Sequence, residues 1–223
     1  MEEAVGPIPT SSTTHNMFQE DEDAWQRYPQ LRWIYDRLQL CERLGYQCGP
    51  AKVAPPIDGQ WFIKPQINLC GMGLGAQLYI GQPIPAGYFW MPYFEGQQLS
   101  VDLQLSKHSL YTVREVLTVA YEHGRPRWWT RLPAAPEYLD RVIPTWLLIE
   151  LRMAGVDKFN IEFVGGKIIE MHLRWGHDFD AAPHDAKYAE VVWADDNDQQ
   201  SYTKDYEDCL GALPVARLGF RYY

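Results

Sequence analysis

Glu170, His172 and Arg174 occupy alternate positions of IIEMHLRW, residues 168–175. Side chains along a strand alternate between its faces, so these three ionisable groups project one way while Ile169, Met171, Leu173 and Trp175 project the other. The apolar face packs; the charged face has to meet water, a partner or a ligand. A second carboxylate, Glu162, precedes it on KFNIEFV, across Gly165 and Gly166. A two-residue Gly165-Gly166 turn would pair Val164 with Lys167 and put Glu162 and Glu170 on opposite faces. A three-residue loop, Val164 to Gly166, moves the register by one and brings Glu162, Glu170, His172 and Asn160 onto one face. Two such carboxylates, with phosphate oxygens, are what a hard divalent cation takes. Upstream, the strand WFIKP ends near Lys64, and QINLCGMGLGA follows with Gly71, Gly73 and Gly75 at alternate positions around Met72. Such a backbone approaches a ligand closely and turns N–H groups toward an anion.

The elements that must position these groups follow from periodicity. Residues 1–24 are polar, with an acidic run at Glu20 to Asp23, and read as a flexible tail. Leu31, Ile34, Leu38, Cys41 and Leu44 recur at helical spacing and predict one amphipathic helix over 29–44, ended by Gly45. Strands are expected at 61–65, 77–80, 87–93 and 99–105, then a hairpin from 111–121 and 127–132. An apolar stripe predicts a helix over 136–154, kinked or broken at Pro144. The glycine-tipped hairpin at 158–175 follows. Residues 176–223 read as loop, acidic at 195–198, with a closing strand near 215–222. The fold class is α+β, with antiparallel sheets and a few packed helices.

Composition bounds the function. The chain has 223 residues, 46% hydrophobic and 14% aromatic, enough for one substantial core or two small lobes around a cleft. Its 29 acidic and 20 basic residues give a net charge of -9, the wrong sign for a nucleic-acid partner. No apolar run reaches the ~20 residues that span a bilayer, and residues 1–20 lack the basic and apolar regions of a secretory signal, so a cytoplasmic protein is expected. Cys41, Cys48, Cys70 and Cys209 lack CxxC spacing and read as reduced filler thiols.

Three segments, in order, resemble the ATP-grasp enzymes. FIKPQINLCGMGLGA is similar to the family's lysine strand and small-residue phosphate loop, YFEGQQLSVDL to its hinge and following strand, and FNIEFVGGKIIEMHLR to its paired metal-binding strands. The resemblance runs from about Asp36 to Arg174. It implies one ATP-grasp-like domain over 25–223, with a smaller lid-like lobe (54–95) and a larger lobe (96–223) gripping ATP and Mg2+, or Mn2+, between sheets. It also implies ligation of a small-molecule carboxylate to an amine through an acyl phosphate. By position, Lys64 would contact phosphates, Gly71, Met72, Gly73 and Gly75 would cover them, and Met91, Tyr93 and Gln98 would line the nucleoside. Glu162, Glu170 and His172 would hold the metal, and Arg174, with Lys64, would steady the transferred phosphate.

The departures from the family pattern define the alternative. Met91-Pro92 stands where the hinge usually offers an acid, Gln98 where an acid receives the ribose, and His172 where an asparagine ligand stands; histidine suits softer metals than magnesium. The separate amino-terminal domain that usually helps to bind substrate is missing from the pattern, so substrate recognition would come from the carboxyl-terminal segment, from a homodimer or protein partner completing the site, or not at all. A degenerate ATP-grasp fold that binds a nucleotide or a protein without turnover is therefore the second reading. An acidic interaction protein ranks third. On a solvated face, Glu162 and Glu170 would be ordinary surface charges, worth about 0–1 kcal/mol per pair. His177, Asp178, His184 and Asp185 match no metal template. Trp128, Trp129 and the nearby arginines are better explained by sheet packing than by stacking on single-stranded nucleic acid.

Overall fold

The computed structural model of the chain describes residues 21–67, 75–122, 125–176, 179, 182–196, 203–204 and 217–223. They form an α+β fold with two antiparallel sheets. The smaller has the order β1-β4-β2-β3, from β1 (Gly49–Pro50), β2 (Trp61–Pro65), β3 (Gln77–Leu78) and β4 (Tyr88–Pro92). The larger is built from β5 (Gln98–Leu105), β6 (Tyr111–Glu122), β7 (Arg125–Arg131), β8 (Lys158–Val164), β9 (Lys167–His172), β10 (Tyr188–Trp193), β11 (Thr203–Lys204) and β12 (Arg217–Tyr222). Its order is β11-β12-β10-β7-β6-β5-β8-β9. Among the described residues no helix is long and apolar enough to cross a membrane.

The helices are shorter than the periodicity suggests. Residues 21–24, expected in the tail, instead open α1 (Asp21–Arg27), which buries Asp21 and Ala24. The stripe over 29–44 divides into a 3-10 helix (Pro29–Ile34) and α2 (Arg37–Arg43). Asp36 restarts the chain as the cap of α2, its carboxylate accepting from the Gln39 N–H at 3.1 Å. Pro144 breaks its segment into α3 (Leu139–Val142) and α4 (Thr145–Met153). Proline has no N–H to give the helix, and it pushes the preceding Ile143 to an extended ψ of 114°.

One face of the large sheet is the main core. Leu99, Val101 and Leu103 on β5 pair with Phe163, Ile161 and Phe159 on β8. With Ile168, Met171 and the α4 residues Leu147, Leu148 and Leu151 they form a single buried cluster. Each such side chain contributes about 1.5–3 kcal/mol through the apolar area it removes from water. The reverse face, over β5, β8 and β9, carries Ser100, Asp102, Asn160, Glu162, Glu170 and His172; all but Glu162 are buried. A strand missing from the sequence reading, β10, lies between β7 and β12, with Ala189 to Trp193 buried. The closing strand is β12.

The β8–β9 hairpin combines parts of both registers considered for it. Val164 pairs with Lys167, so the turn is the two-residue form, and Gly165 and Gly166 both have positive φ (56° and 76°), as a type I′ turn requires. The register then shifts by one: Phe163 pairs with Ile168 but Glu162 pairs with Glu170, leaving Ile169 as a bulge. The bulge, not the loop length, returns both carboxylates to one face, and Ile169 packs against Cys41, Phe89 and Met91. The turn also touches the segment joining the two sheets, where Gly165 N–H donates to Gln97 O at 3.2 Å. A Cβ on Gly165 would run into the carbonyl oxygen of Glu95. Gly165→Ala is therefore expected to lower unfolding stability by about 1–3 kcal/mol, measurable by urea denaturation.

Cys41 and Cys48 are free, with burial pushing their thiols up to about 12 and about 11, as inert filler requires. Cys70 and Cys209 lie outside the described residues.

Candidate functional site

Glu170 is the centre of the buried charges. Lys64 comes from β2 in the small sheet, where it pairs with Phe89 on β4, and its Nζ lies 3.9 Å from Glu170 Oε2. Arg37, the first residue of α2, places Nη2 against Glu170 Oε1 and donates from Nη1 to Pro65 O at 3.3 Å. His172 Nε2 lies 3.6 Å from Glu170 Oε1. Burial opposes ionising Glu170, but Arg37, Lys64 and His172 outweigh it and hold the carboxyl below its usual range. Burial and the neighbouring Arg37 depress the Lys64 ammonium, against the pull of Glu170 and Glu162.

Glu162, paired across from Glu170, behaves in the opposite way. It is half-buried and accepts from Gln98 Nε2 at 3.0 Å. Burial, then repulsion from Glu170, raises it to about 7. Two carboxylates side by side separate their proton affinities in this manner.

The far end of β9 is closed by α1. Asp21 Oδ2 lies 2.9 Å from His172 Nδ1 and accepts from Arg174 Nη2 at 2.8 Å. Burial would raise this carboxyl, but His172 and Arg174 hold it down to about 2. His172, expected among the metal ligands, is thus engaged by Asp21; burial works against its cation, but Asp21 raises its pKa above the ordinary value. A folded-state pKa below the unfolded one stabilises above the ordinary carboxylate range, and that contribution is lost as pH falls toward 2. Asp21 accordingly contributes about 2 kcal/mol at neutral pH. Asp21→Asn is expected to lose at least that much at pH 7, with the gap to the parent closing between pH 4 and pH 2 in urea titrations.

A second polar cluster fixes the exit from β9. Asp102 Oδ1 accepts from Asn160 Nδ2 at 2.8 Å and from Gly176 N–H at 2.7 Å, and Oδ2 accepts from Arg114 at 3.2 Å. Burial lifts Asp102 to about 6 against these donors. Trp175 donates to Leu103 O at 3.0 Å, with Arg114 and Lys158 over its ring. The segment that carries Arg174 is pinned on both sides.

Of the residues expected in the site, Lys64, Gln98, Glu162, Glu170, His172 and Arg174 converge. Met91 is buried between α2 and the small sheet, and Tyr93, 41% exposed, stands beside Phe62. Gly75 has a φ of 69°, and a Cβ there would meet the Tyr88 hydroxyl. Gly71, Met72 and Gly73 lie outside the described residues. The nucleic-acid alternative loses its free cations, because Arg125 pairs with Asp195, Arg127 with Glu190 and Asp196, and Arg131 with Glu115.

Sequence reasoning missed Arg37 and Asp21. Both carried a signal: Arg37 falls between Ile34 and Cys41 on an apolar helical stripe, and Asp21 precedes the buried Ala24 and Tyr28 by three and seven positions. A charge on a buried stripe needs a buried partner.

Chemically, the basic side chains of Arg37, Lys64, His172 and Arg174 meet the carboxyl groups of Asp21, Glu162 and Glu170, with Glu162 raised to about 7. Guanidinium and ammonium groups of this kind favour an anion beside them. Among the described residues no group of three or more His, Cys, Asp or Glu side chains is arranged to hold a metal ion. The donor chemistry of Glu162 and Glu170 alone fits Mg2+ or Mn2+, which commonly take one or two carboxylates plus phosphate oxygens. His172, with Nδ1 on Asp21 and its cation favoured, offers no lone pair there and does not fit.

No protein-family model matches the chain, and no curated protein matches its sequence. Solved structures do. A protein assigned to the ATP-grasp superfamily from Archaeoglobus fulgidus is 15% identical, with a TM-score of 0.49 over 84% of this chain and 64% of that one. N5-carboxyaminoimidazole synthetase from Staphylococcus aureus, complexed with ADP, is 14% identical, with a TM-score of 0.49 over 66% and 46%. L-amino acid ligase from Bacillus licheniformis is 10% identical, with a TM-score of 0.42 over 65% and 40%. The chain spans less than two thirds of the length of each. These likenesses are of fold alone.

Proposed function

We propose that the chain binds ATP between its two sheets and uses it to couple a small-molecule carboxylate to an amine, as an ATP-grasp-type ligase does. One observation carries this reading: Lys64 from the small sheet and the cross-strand pair Glu162 and Glu170 from the large one meet in one cluster, which His172 and Asp21 extend to Arg174. Phosphates seated there meet the Lys64 ammonium and the guanidinium of Arg174, and the half-exposed Phe62, Leu78 and Tyr93 offer an apolar shelf for a planar base. Glu162 and Glu170 would hold magnesium, which when bound neutralises charge on phosphate oxygens. Arg174, pinned through Trp175 and Gly176, steadies the anion that develops as phosphate is transferred.

The alternative, binding without turnover, is favoured by a specific feature: Glu170 is already compensated by Arg37 and Lys64 before any metal arrives. Glu162→Gln separates the two. The ligase reading expects this variant to bind ATP in EDTA as the parent does and to lose the gain in affinity that magnesium gives. Magnesium having no effect on ATP affinity in either protein would favour binding without turnover.

A further inference from the structure

Asp21 sits where a ligand's acid group would sit. It is only 1% exposed, yet it belongs to a short helix whose other residues, Ala24 apart, are not buried, and whose first turn is acidic. Its Oδ2 is shared by His172 Nδ1 and Arg174 Nη2, while Oδ1, equally buried, has no hydrogen-bond partner among the described residues. The Tyr35 hydroxyl, which accepts from Leu173 N–H at 3.2 Å, closes the same corner. A carboxylate built to be permanent usually has both oxygens satisfied, because an unpaired buried acceptor costs about 1–3 kcal/mol. Here Oδ2 takes both cations, and Oδ1 has only the nearby Tyr35 hydroxyl, outside hydrogen-bond geometry, among the described residues.

We propose that the corner formed by His172, Arg174 and Tyr35 is a carboxylate seat, and that Asp21 occupies it as an intramolecular stand-in that a ligand carboxylate must displace. The seat's existence rests on this geometry; its role as the acceptor subsite rests on the ligase reading above. Arg174 is the link, because the guanidinium assigned to the transferred phosphate is held by Asp21 at 2.8 Å. While α1 is docked, Arg174 is committed and the acceptor cannot bind beside it. Release of α1 opens the seat and removes the Asp21 contact from Arg174. Residues 21–27 thus act as a plug whose own side chain resembles the substrate class. An occupied seat weakens apparent affinity by the fraction of molecules in which it is empty.

Succinate is the probe, used with the full-length chain. Calorimetry is expected to show Asp21→Ala binding succinate about tenfold or more tightly than the parent, because nothing has to leave first. Adding Arg174→Met to Asp21→Ala should abolish that gain. In the unmodified protein, saturating succinate should speed amide hydrogen exchange across 21–27 and leave α4 unchanged, a result that needs no variant to fold. Equal affinity in parent and Asp21→Ala, or unchanged exchange at 21–27 under saturation, would overturn the proposal. The ligase reading fails separately: succinate binding that follows this pattern in a chain that does not bind ATP keeps the seat and removes its link to ligation.

Discussion

Replacing Arg37 by leucine is expected to lower the unfolding free energy by about 3–5 kcal/mol, the cost of removing one partner from a buried ion pair. Arg37 is 1% exposed and shares its guanidinium between Glu170 and Pro65 O. Its backbone is tied to the same place, since Arg37 N–H donates to Gln66 O at 2.9 Å and Gln66 donates to Asp36 at 2.9 Å. The side chain thus staples α2 to the end of β2 and, through Glu170, to the large sheet. Without it Glu170 keeps only Lys64 at 3.9 Å and His172 at 3.6 Å. Replacing both partners by apolar groups should recover much of the loss, because a buried pair and a well-packed apolar pair differ little in net stability. Urea unfolding of Arg37→Leu and of Arg37→Leu with Glu170→Met provides the comparison. A loss below about 1 kcal/mol for the single variant would mean that Arg37 is not the anchor described.

Lys64→Met should separate stability from binding. Lys64 is 4% exposed, and its ammonium is depressed by burial and by Arg37 and lies 3.9 Å from a carboxylate that Arg37 already satisfies. The fold therefore gains little from that charge, and the variant should unfold within about 1 kcal/mol of the parent, with the thioether filling the same space. A polyphosphate, by contrast, loses its only cation from the small sheet's inner face among the described residues. ATP affinity should fall about 100-fold, or about 2.7 kcal/mol, as for a lost charge-assisted contact. Unchanged ATP affinity in a folded Lys64→Met protein would move the phosphate site away from β2.

Much of the site could be read from period-two alternation. Glu162, Glu170, His172 and Arg174 had to share a face once the hairpin register was settled, and Lys64 lay at the end of an apolar strand. The device that settles the register, a bulge at Ile169, was not legible, because alternation alone does not distinguish a bulge from a longer loop. Arg37 and Asp21 escaped for another reason. Their partners are 133 and more than 150 residues away, and local patterning carries no information about which buried charge will meet which. Strand β10 was hidden by its setting, an apolar hexamer between acidic, turn-rich stretches, where burial on both faces erases the alternation that marks a half-exposed strand. The helix over 29–44 was over-read because periodicity persists through a 3-10 segment and a recapped α-helix that share one apolar face.

The ATP site is tested most directly by titrating ATP into the unmodified protein by calorimetry, with magnesium and with EDTA, while the fold is monitored by circular dichroism. Lys64 and Arg174 predict binding in EDTA, and the facing carboxylates predict that magnesium tightens it. A folded chain that takes up no ATP under either condition would contradict the nucleotide reading and leave Glu162, Glu170 and Lys64 as parts of the chain's own buried ion network.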